Sequence, residues 1–531
     1  MFDQKFRRRH FIQSAALFSA GVAASVVSPL RTRASDDYID ALVIGSGFGG
    51  AIAALRLGQA GIDTLILERG KRWPITPSQN TFATFNKPDG RAAWLSSTSV
   101  FGDTVDVYTG VFETLQEKGI IVVNGAGVGG GSLVYNAITY KPKRQIFYKV
   151  FDRAVVDYDE LDSIYYPRVQ KMLKSSPIPQ DVLATTYYGK TRFFLENADK
   201  AGLPSFLLDL AVNWDTVRQE IHGSKVPSAI DGQCWWGVNS GAKNSLDQNY
   251  LPQAENTGHV DVLPLHVVTD IAEIRGEKKY RVCCNEINES GQIIRKKTFT
   301  CRYLFVAAGS VGTSKLLVKA REKGTLPYLN NFVGKDWGTN GDNITIRSDL
   351  GPVTGNGGTA GAAIEQLEGP TPIVVESLEL GNNAQGIQSC LGLGVPSPAG
   401  TFKYNPSTDT VNLNWPTSVD DAIVKKTERL FNTLDNSINN FGRRPRHKTK
   451  EGMMMMSTSQ NNDAAITGHP LGGVPIGKAC DPFGRVYGYR RLYVVDGSLI
   501  PGSAGCANPS FTIAALAERC LDKIIAEDIH S

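Results

Sequence analysis

Residues 41–70 read ALVIGSGFGGAIAALRLGQAGIDTLILERG, and this stretch decides the fold. It opens on four apolar residues, Ala41-Leu42-Val43-Ile44, a length that suits a strand buried on both faces of a parallel sheet. Gly45, Gly47 and Gly50 follow at G-x-G-x-x-G spacing. A helical pattern over 51–60 is closed by Gly61, and a second apolar run over 64–67 leads straight into Glu68. Gly45 permits the tight turn out of the strand, Gly47 lets backbone approach a pyrophosphate, and Gly50 lets the helix pack closely on the sheet. The helix start offers free N–H groups and the positive end of its dipole to phosphates. Glu68 is placed to accept hydrogen bonds from a ribose diol, which favours FAD or NAD over NADP. A glycine-rich turn in an ordinary α/β protein would need neither the flanking strand and helix nor the acid.

Working outward, a chain of 531 residues is too long for one simple core, so two domains are expected. The formal charge is +4, but residues 1–34 hold six Lys/Arg against one Asp, which leaves the rest near −1. The basic balance therefore belongs to the leader and gives no reason to expect nucleic acid. None of the eight cysteines forms a C-x-x-C pair, so neither a metal centre nor a redox motif is expected. The leader carries Arg7-Arg8-Arg9-His10-Phe11-Ile12, a mild apolar run over 15–27, and Thr32-Arg33-Ala34. This pattern predicts a twin-arginine signal cut after Ala34 and a secreted or periplasmic protein. A membrane anchor is the competing reading, although the run is short and polar for a transmembrane helix. Twin-arginine transport carries folded cargo, as a protein loaded with its cofactor before export requires.

A second glycine cluster, Gly125 to Gly131, follows the apolar run 120–123. It suggests backbone packed against a flavin ring or a second phosphate contact; a glycine hinge between domains is the plain alternative. Residues 157–173 and 191–201 read as amphipathic helices. Residues 260–268 read as one strand, 280–284 with 293–299 as a meander hairpin, and 303–310 as a further buried strand running into a helix over 312–320. Segments 372–380 and 391–415 suit an antiparallel sheet, and 419–440 a helix. Glu376 falls in the apolar run 373–378, either buried there or facing solvent from an edge strand. Met453 to Met456 read as core filler. His266 reads as a structural or surface histidine, with no partner spaced to it as for a ligand. His469, in Gly468-His-Pro-Leu-Gly-Gly, is by itself also readable as a core histidine. A strand ending in Asp496-Gly497, followed by the helix start Asn508-Pro509, brings backbone N–H groups and an Asp to one sheet edge.

Taken together, Gly45-x-Gly-x-x-Gly50, Gly125 to Asn136, His469-Pro-Leu-Gly-Gly, Gly484-Arg-Val, Asp496-Gly-Ser and Asn508-Pro resemble the glucose-methanol-choline (GMC) oxidoreductase family. Within it, Arg302-Tyr-Leu-Phe, Gly324-Thr-Leu-Pro, Gly400-Thr-Phe-x-Tyr and Ser498-Leu-Ile-Pro-Gly-Ser are similar to the cholesterol oxidases that hold FAD non-covalently. The resemblance implies an α/β fold: a Rossmann-like FAD-binding domain beside a substrate domain with a mainly antiparallel sheet covered by helices. The FAD domain is expected over 36–145, 240–335 and 470–531, and the substrate domain over 146–239 and 336–469. It implies that Gly45, Gly47, Phe48, Gly49, Gly50 and Glu68 hold the ADP half of FAD. Gly131, Tyr135, Asn136 and Ile138 would lie along the flavin, Val268 would meet adenine, and Asp496 and Gly497 would complete the cofactor site. His469 would hydrogen-bond the substrate hydroxyl, Asn508 would stabilise the reduced ring, and Glu376 would move the ring proton in a 5-ene to 4-ene isomerisation, with Glu379 as its rival.

Three departures lie near the substrate: Gly468 where the subgroup commonly has Tyr, an added residue in Cys506-Ala507, and the polar stretch 447–462. The expected activity is oxidation of a 3β-hydroxysteroid with isomerisation. The alternatives are a GMC dehydrogenase acting on another alcohol through a separate acceptor, and a flavin-binding protein without catalysis. Expected partners are a sterol or other hydrophobic alcohol, O2 or another acceptor, and a membrane surface from which sterol is taken, with no nucleic acid and a monomeric state.

Overall fold

The strand Tyr38–Ile44 runs through the middle of a seven-stranded sheet. It pairs in parallel with Thr64–Leu67 on one side and with Ile293–Val306 on the other. Val260–Leu263 extends the parallel order beyond Thr64–Leu67, and Leu492–Val494 lies beside the C-terminal end of Ile293–Val306. Leu42, Val43 and Ile44 are buried, as a central parallel strand covered on both faces requires. The N-terminal part of Ile293–Val306 carries an antiparallel meander, Lys279–Ile287 and then His266–Ile274. The fingerprint helix Phe48–Gln59 packs against Tyr250–Glu255 and the C-terminal helix Pro509–Ile524. This is a computed structural model, and it describes residues 38–351, 358–381, 384–438, 445–448 and 465–530. The leader and the run Met453 to Met456 lie outside the described residues.

A second, six-stranded sheet is antiparallel throughout. Its order is Arg446–Lys448, Asn343–Ser348, Gln388–Gly394, Ile373–Leu378, Ala362–Gln366, Ser205–Leu207. The helices Gly189–Lys200 and Asp421–Asn436 pack on one of its faces. A third sheet has three strands: Ala465–Thr467 pairs in parallel with Ile120–Gly125, which pairs antiparallel with Phe112–Glu117. The strand that feeds the second glycine cluster therefore belongs to this small sheet, outside the dinucleotide sheet.

Three local readings are corrected. Residues 260–268 are two strands, because Leu265 adopts φ +59° and turns the chain from the parallel sheet into the meander. The runs 293–299 and 303–306 are one strand of 14 residues. The strand Ile373–Leu378 is internal, paired on both sides, so Glu376 does not face solvent.

Candidate active site

One cavity of about 580 Å³ extends from the fingerprint turn to the face of the antiparallel sheet. At its first end lie Gly45, Gly47, Phe48, Gly49 and Glu68. Gly45 has φ +94°, and a Cβ there would sit 2.3 Å from the Ala307 carbonyl oxygen, so only glycine makes this turn. A Cβ on Gly47 would meet no protein atom within 4 Å, which leaves that backbone approachable from the cavity. Gly47 caps the fingerprint helix and supplies no side-chain bond to it. The helix N–H groups there, with those opening Gly309–Glu322 and Pro509–Ile524, border the same cavity, a setting suited to a pyrophosphate. Gly50 is the exception among the fingerprint residues. It does not line the cavity, and its role is packing, since a Cβ there would lie 2.0 Å from the Gly45 oxygen.

Glu68 is 5% exposed. Its carboxylate accepts hydrogen bonds from Ser46 N at 3.0 Å, Ser46 Oγ at 2.6 Å and Gly70 N at 2.8 Å. It organises the fingerprint turn itself besides bordering the cavity where a ribose would lie. Val268 lines the same end, at a bulge in the His266–Ile274 strand. His266 also lines this end, its Nδ1 donating to Pro264 O at 2.8 Å and its Nε2 accepting from Lys297 at 3.0 Å. Asp496 also borders the cavity, but its carboxylate is engaged by Ser498 N, Ser498 Oγ and Thr313 Oγ1 at 2.9, 2.5 and 2.6 Å. It fixes the turn that presents Gly497, where the sequence suggested a direct hold on the cofactor.

The second glycine cluster packs backbone to backbone on the first. A Cβ at Gly130 would meet Gly47 Cα at 2.7 Å, and one at Gly70 would meet Gly127 N at 2.2 Å. Gly131, Tyr135, Asn136 and Ile138 then form a wall of the cavity. Tyr135 stands edge-on to Phe48 with ring centroids 5.6 Å apart. Its hydroxyl and the Asn136 Oδ1 are buried without a protein partner.

At the far end, Ile344, Leu391 and Glu376 form one row across three strands of the antiparallel sheet, and all three line the cavity. Glu376 is 1% exposed; Oε2 accepts from Asn508 Nδ2 at 3.1 Å and Oε1 has no partner. Burial pushes its carboxyl up to about 7, with the Asn508 bond and nearby His469 pulling the other way. Asn508 occupies the N-cap position of Pro509–Ile524 without bonding the helix. The side chain that usually satisfies a helix start is turned to Glu376 instead. His469 follows the strand Ala465–Thr467. Its Nδ1 donates to Asp342 Oδ1 at 2.8 Å, and its backbone N donates to Thr467 Oγ1 at 2.9 Å. Asp342 Oδ2 accepts from Thr467 Oγ1 at 2.7 Å and from Gly468 N at 3.1 Å. Burial opposes the imidazolium, but the charge and hydrogen bond of Asp342, with Glu376 beyond, outweigh it and hold His469 above its ordinary value. The ring is thereby set with Nε2 as its acceptor.

Glu379, the rival carboxylate, does not line the cavity. It lies 3.9 Å from Lys190, both side chains buried. Sequence reasoning missed Asp342 and Ser46. Asp342 stands in Thr339-Asn340-Gly341-Asp342-Asn343, a polar run that is buried in the structure but carries no local sequence signal of it.

A long cavity bordered by three helix starts, an acid beside the first of them, and unpartnered Tyr135, Asn136, Glu376 and Asn508 atoms fit FAD with its ring toward the antiparallel sheet. The fold and site define a dinucleotide-binding flavoprotein oxidoreductase. The family description "GMC oxidoreductase" matches the chain over residues 39–321 for its N-terminal part and 396–517 for its C-terminal part, and the chain belongs to that family, whose members bind FAD. It is 29% identical to a cholesterol oxidase of Mycobacterium tuberculosis (strain ATCC 25618 / H37Rv), covering 91% of this chain and 90% of the relative. It is 25% identical to a cholesterol oxidase of Acinetobacter baumannii, covering 92% and 95%. Among solved structures, pyridoxine 4-oxidase from Mesorbium loti superposes with a TM-score of 0.63 at 15% identity, covering 92% of this chain and 99% of that one. A fungal aryl-alcohol oxidase gives 0.63 at 14%, covering 93% and 99%.

Proposed function

We propose that the protein oxidises 3β-hydroxysteroids, with FAD held non-covalently and O2 reduced to H2O2, and isomerises the product from the 5-ene to the 4-ene. The observation that carries this reading is Glu376: a buried carboxylate with one free oxygen, set in a sheet face of Ile344, Leu378 and Leu391 and beside His469. Oxidation of an alcohol needs only a base and a hydride acceptor. A second, apolar-set carboxylate with a raised pKa is what a proton shift along a carbon skeleton requires. His469 Nε2 accepts the hydroxyl proton as the carbinol C–H bond breaks and C=O forms. Held between the fingerprint turn and the wall of Gly131, Tyr135, Asn136 and Ile138, FAD would supply the hydride acceptor and the route of the two electrons to O2. Glu376 then takes a proton from the carbon between the new ketone and the double bond and returns it at the far end of that double bond. Asn508 holds Glu376 by one oxygen and leaves the other for this transfer.

The cholesterol oxidases among the relatives support the steroid. Gly468 supports a second reading, another bulky alcohol, because a Cβ there would meet nothing within 4 Å and the cavity gains room where a Tyr was expected. A panel of sterols and other alcohols given to the FAD-loaded protein, with peroxide and dye reduction measured side by side, tests both. Peroxide with cholesterol and formation of the 4-en-3-one is the expected result. No turnover of any sterol rejects the steroid reading and leaves the second.

A further inference from the structure

Lys243 is 4% exposed and takes no part in the chemistry above. Its Nζ donates to three backbone carbonyls: Cys234 O at 2.5 Å, Leu133 O at 2.6 Å and Tyr135 O at 3.1 Å. It stands 5.5 Å from the centre of the Tyr135 ring. Three donors and three acceptors match, yet among the described residues Nζ forms no ion pair with a carboxylate. The ionisable groups around it are the Cys234 thiol, Asp247 and Tyr135 itself. A buried ammonium without a carboxylate partner is an expensive way to join two loops, and a neutral donor would join them at less cost. What the neutral donor lacks is the charge, and the charge lies behind a residue that walls the cofactor cavity.

We propose that Lys243 is a positioning residue for the flavin: it ties the 133–135 wall to the turn at Cys234, and its charge, behind Tyr135, favours negative charge on the cofactor in the cavity that Tyr135 lines. The proposal rests on Tyr135 lying along the flavin. Coupling of this kind is reciprocal. If the ammonium favours the reduced cofactor, reduction raises the proton affinity of Lys243 by the same factor. Burial brings Lys243 down to about 8, against the opposing pull of Cys234 and Asp247. Above that pH, reduction draws up to one additional proton, and the midpoint potential falls more steeply with pH.

The test is a spectroelectrochemical titration of the FAD-loaded protein from about pH 6 to about pH 10, a range spanning an ordinary and a lowered lysine pKa. The parent is compared with Lys243→Met and Lys243→Arg. The parent is expected to steepen above about pH 8. Lys243→Met is expected to show a lower potential at neutral pH and no steepening. Lys243→Arg, which keeps its charge throughout the range, is expected to hold a near-parental neutral potential, again without steepening. If Lys243→Met does not fold, the parent and Lys243→Arg still decide. Equal slopes in those two overturn the charge role and leave only the tie between loops. A parent that takes up no FAD overturns the cofactor assignment and this inference with it.

Discussion

Asp342 decides which nitrogen of His469 can act. Because it accepts from Nδ1, Nε2 is the base, and because it is charged, the imidazolium persists to higher pH than in a free histidine. The neutral base therefore accumulates only as pH rises through that raised value. Asp342→Asn removes the charge, so the rising limb of kcat/KM against pH is expected to move to lower pH while FAD is retained; an unmoved limb would show that Asp342 does not set the base. Glu376 is used in the same sense, in its deprotonated form. With its carboxyl near 7, the ionised form that accepts a carbon-bound proton is lost as pH falls below about 7, and isomerisation should fade with it. Glu376→Gln keeps size and hydrogen bonding but carries no proton, so product chromatography should find the 5-en-3-one accumulating with oxidation largely retained. His469 and Asn508 drew attention because each sits in a short pattern quoted for the family resemblance, and Glu376 because that resemblance implied its role. Asp342 did not, because Thr339 to Asn343 reads as an ordinary turn, and only the distant return of the chain at Thr467 gives its carboxylate a partner.

Elements built from local contacts were the legible ones. Strand, glycine turn, helix and acid follow one another within 41–70, and each step rests on its neighbours. Gly50→Ala tests that geometry: the added methyl would press on the Gly45 carbonyl, and overpacking of this kind costs about 1–3 kcal/mol. A lower thermal midpoint with weakened FAD retention is expected, and an unchanged midpoint would mean the helix can lift off the strand freely. Ile293–Val306 was illegible as one element for an equally physical reason. Its first half is largely exposed and belongs to the meander, while its second half is buried in the parallel sheet, so one strand carries two hydropathy patterns. The strand Ile373–Leu378 hid its nature differently: an apolar run with one acid is the same string whether the acid meets water or a cavity, and only its two neighbouring strands decide.

For the whole molecule, a Rossmann-like sheet beside a mainly antiparallel one was what the family resemblance implied, whereas the pairing of Ala465–Thr467 with Ile120–Gly125 joins segments too far apart in sequence for any local signal. Long-range clasps of the same sort hold the C-terminal helix. Glu518, fully buried, accepts from Arg56, Arg168 and Tyr250. We propose that residues 1–34 direct export of the whole chain, and Arg8→Lys with Arg9→Lys is expected to leave active, FAD-loaded protein in the cytoplasm, read by fractionation; undiminished export would reject a twin-arginine route. The parallel pairing of Ala465–Thr467 with Ile120–Gly125 also sets a clock. A nascent chain lays down the glycine cluster early, yet synthesis at ~5–20 residues per second separates it from its partner strand by on the order of tens of seconds. Closing so long a loop comes only once the late contacts exist to reward it. Gly49 waits likewise for Val495, against which its backbone packs. A ribosome-bound fragment has the phosphate turn but neither His469 nor the strand beside it. Flavin capture is thus expected only once the segments from residue 465 onward are present, and a translation arrest upstream of residue 465 should yield colourless chains whatever the supply of FAD.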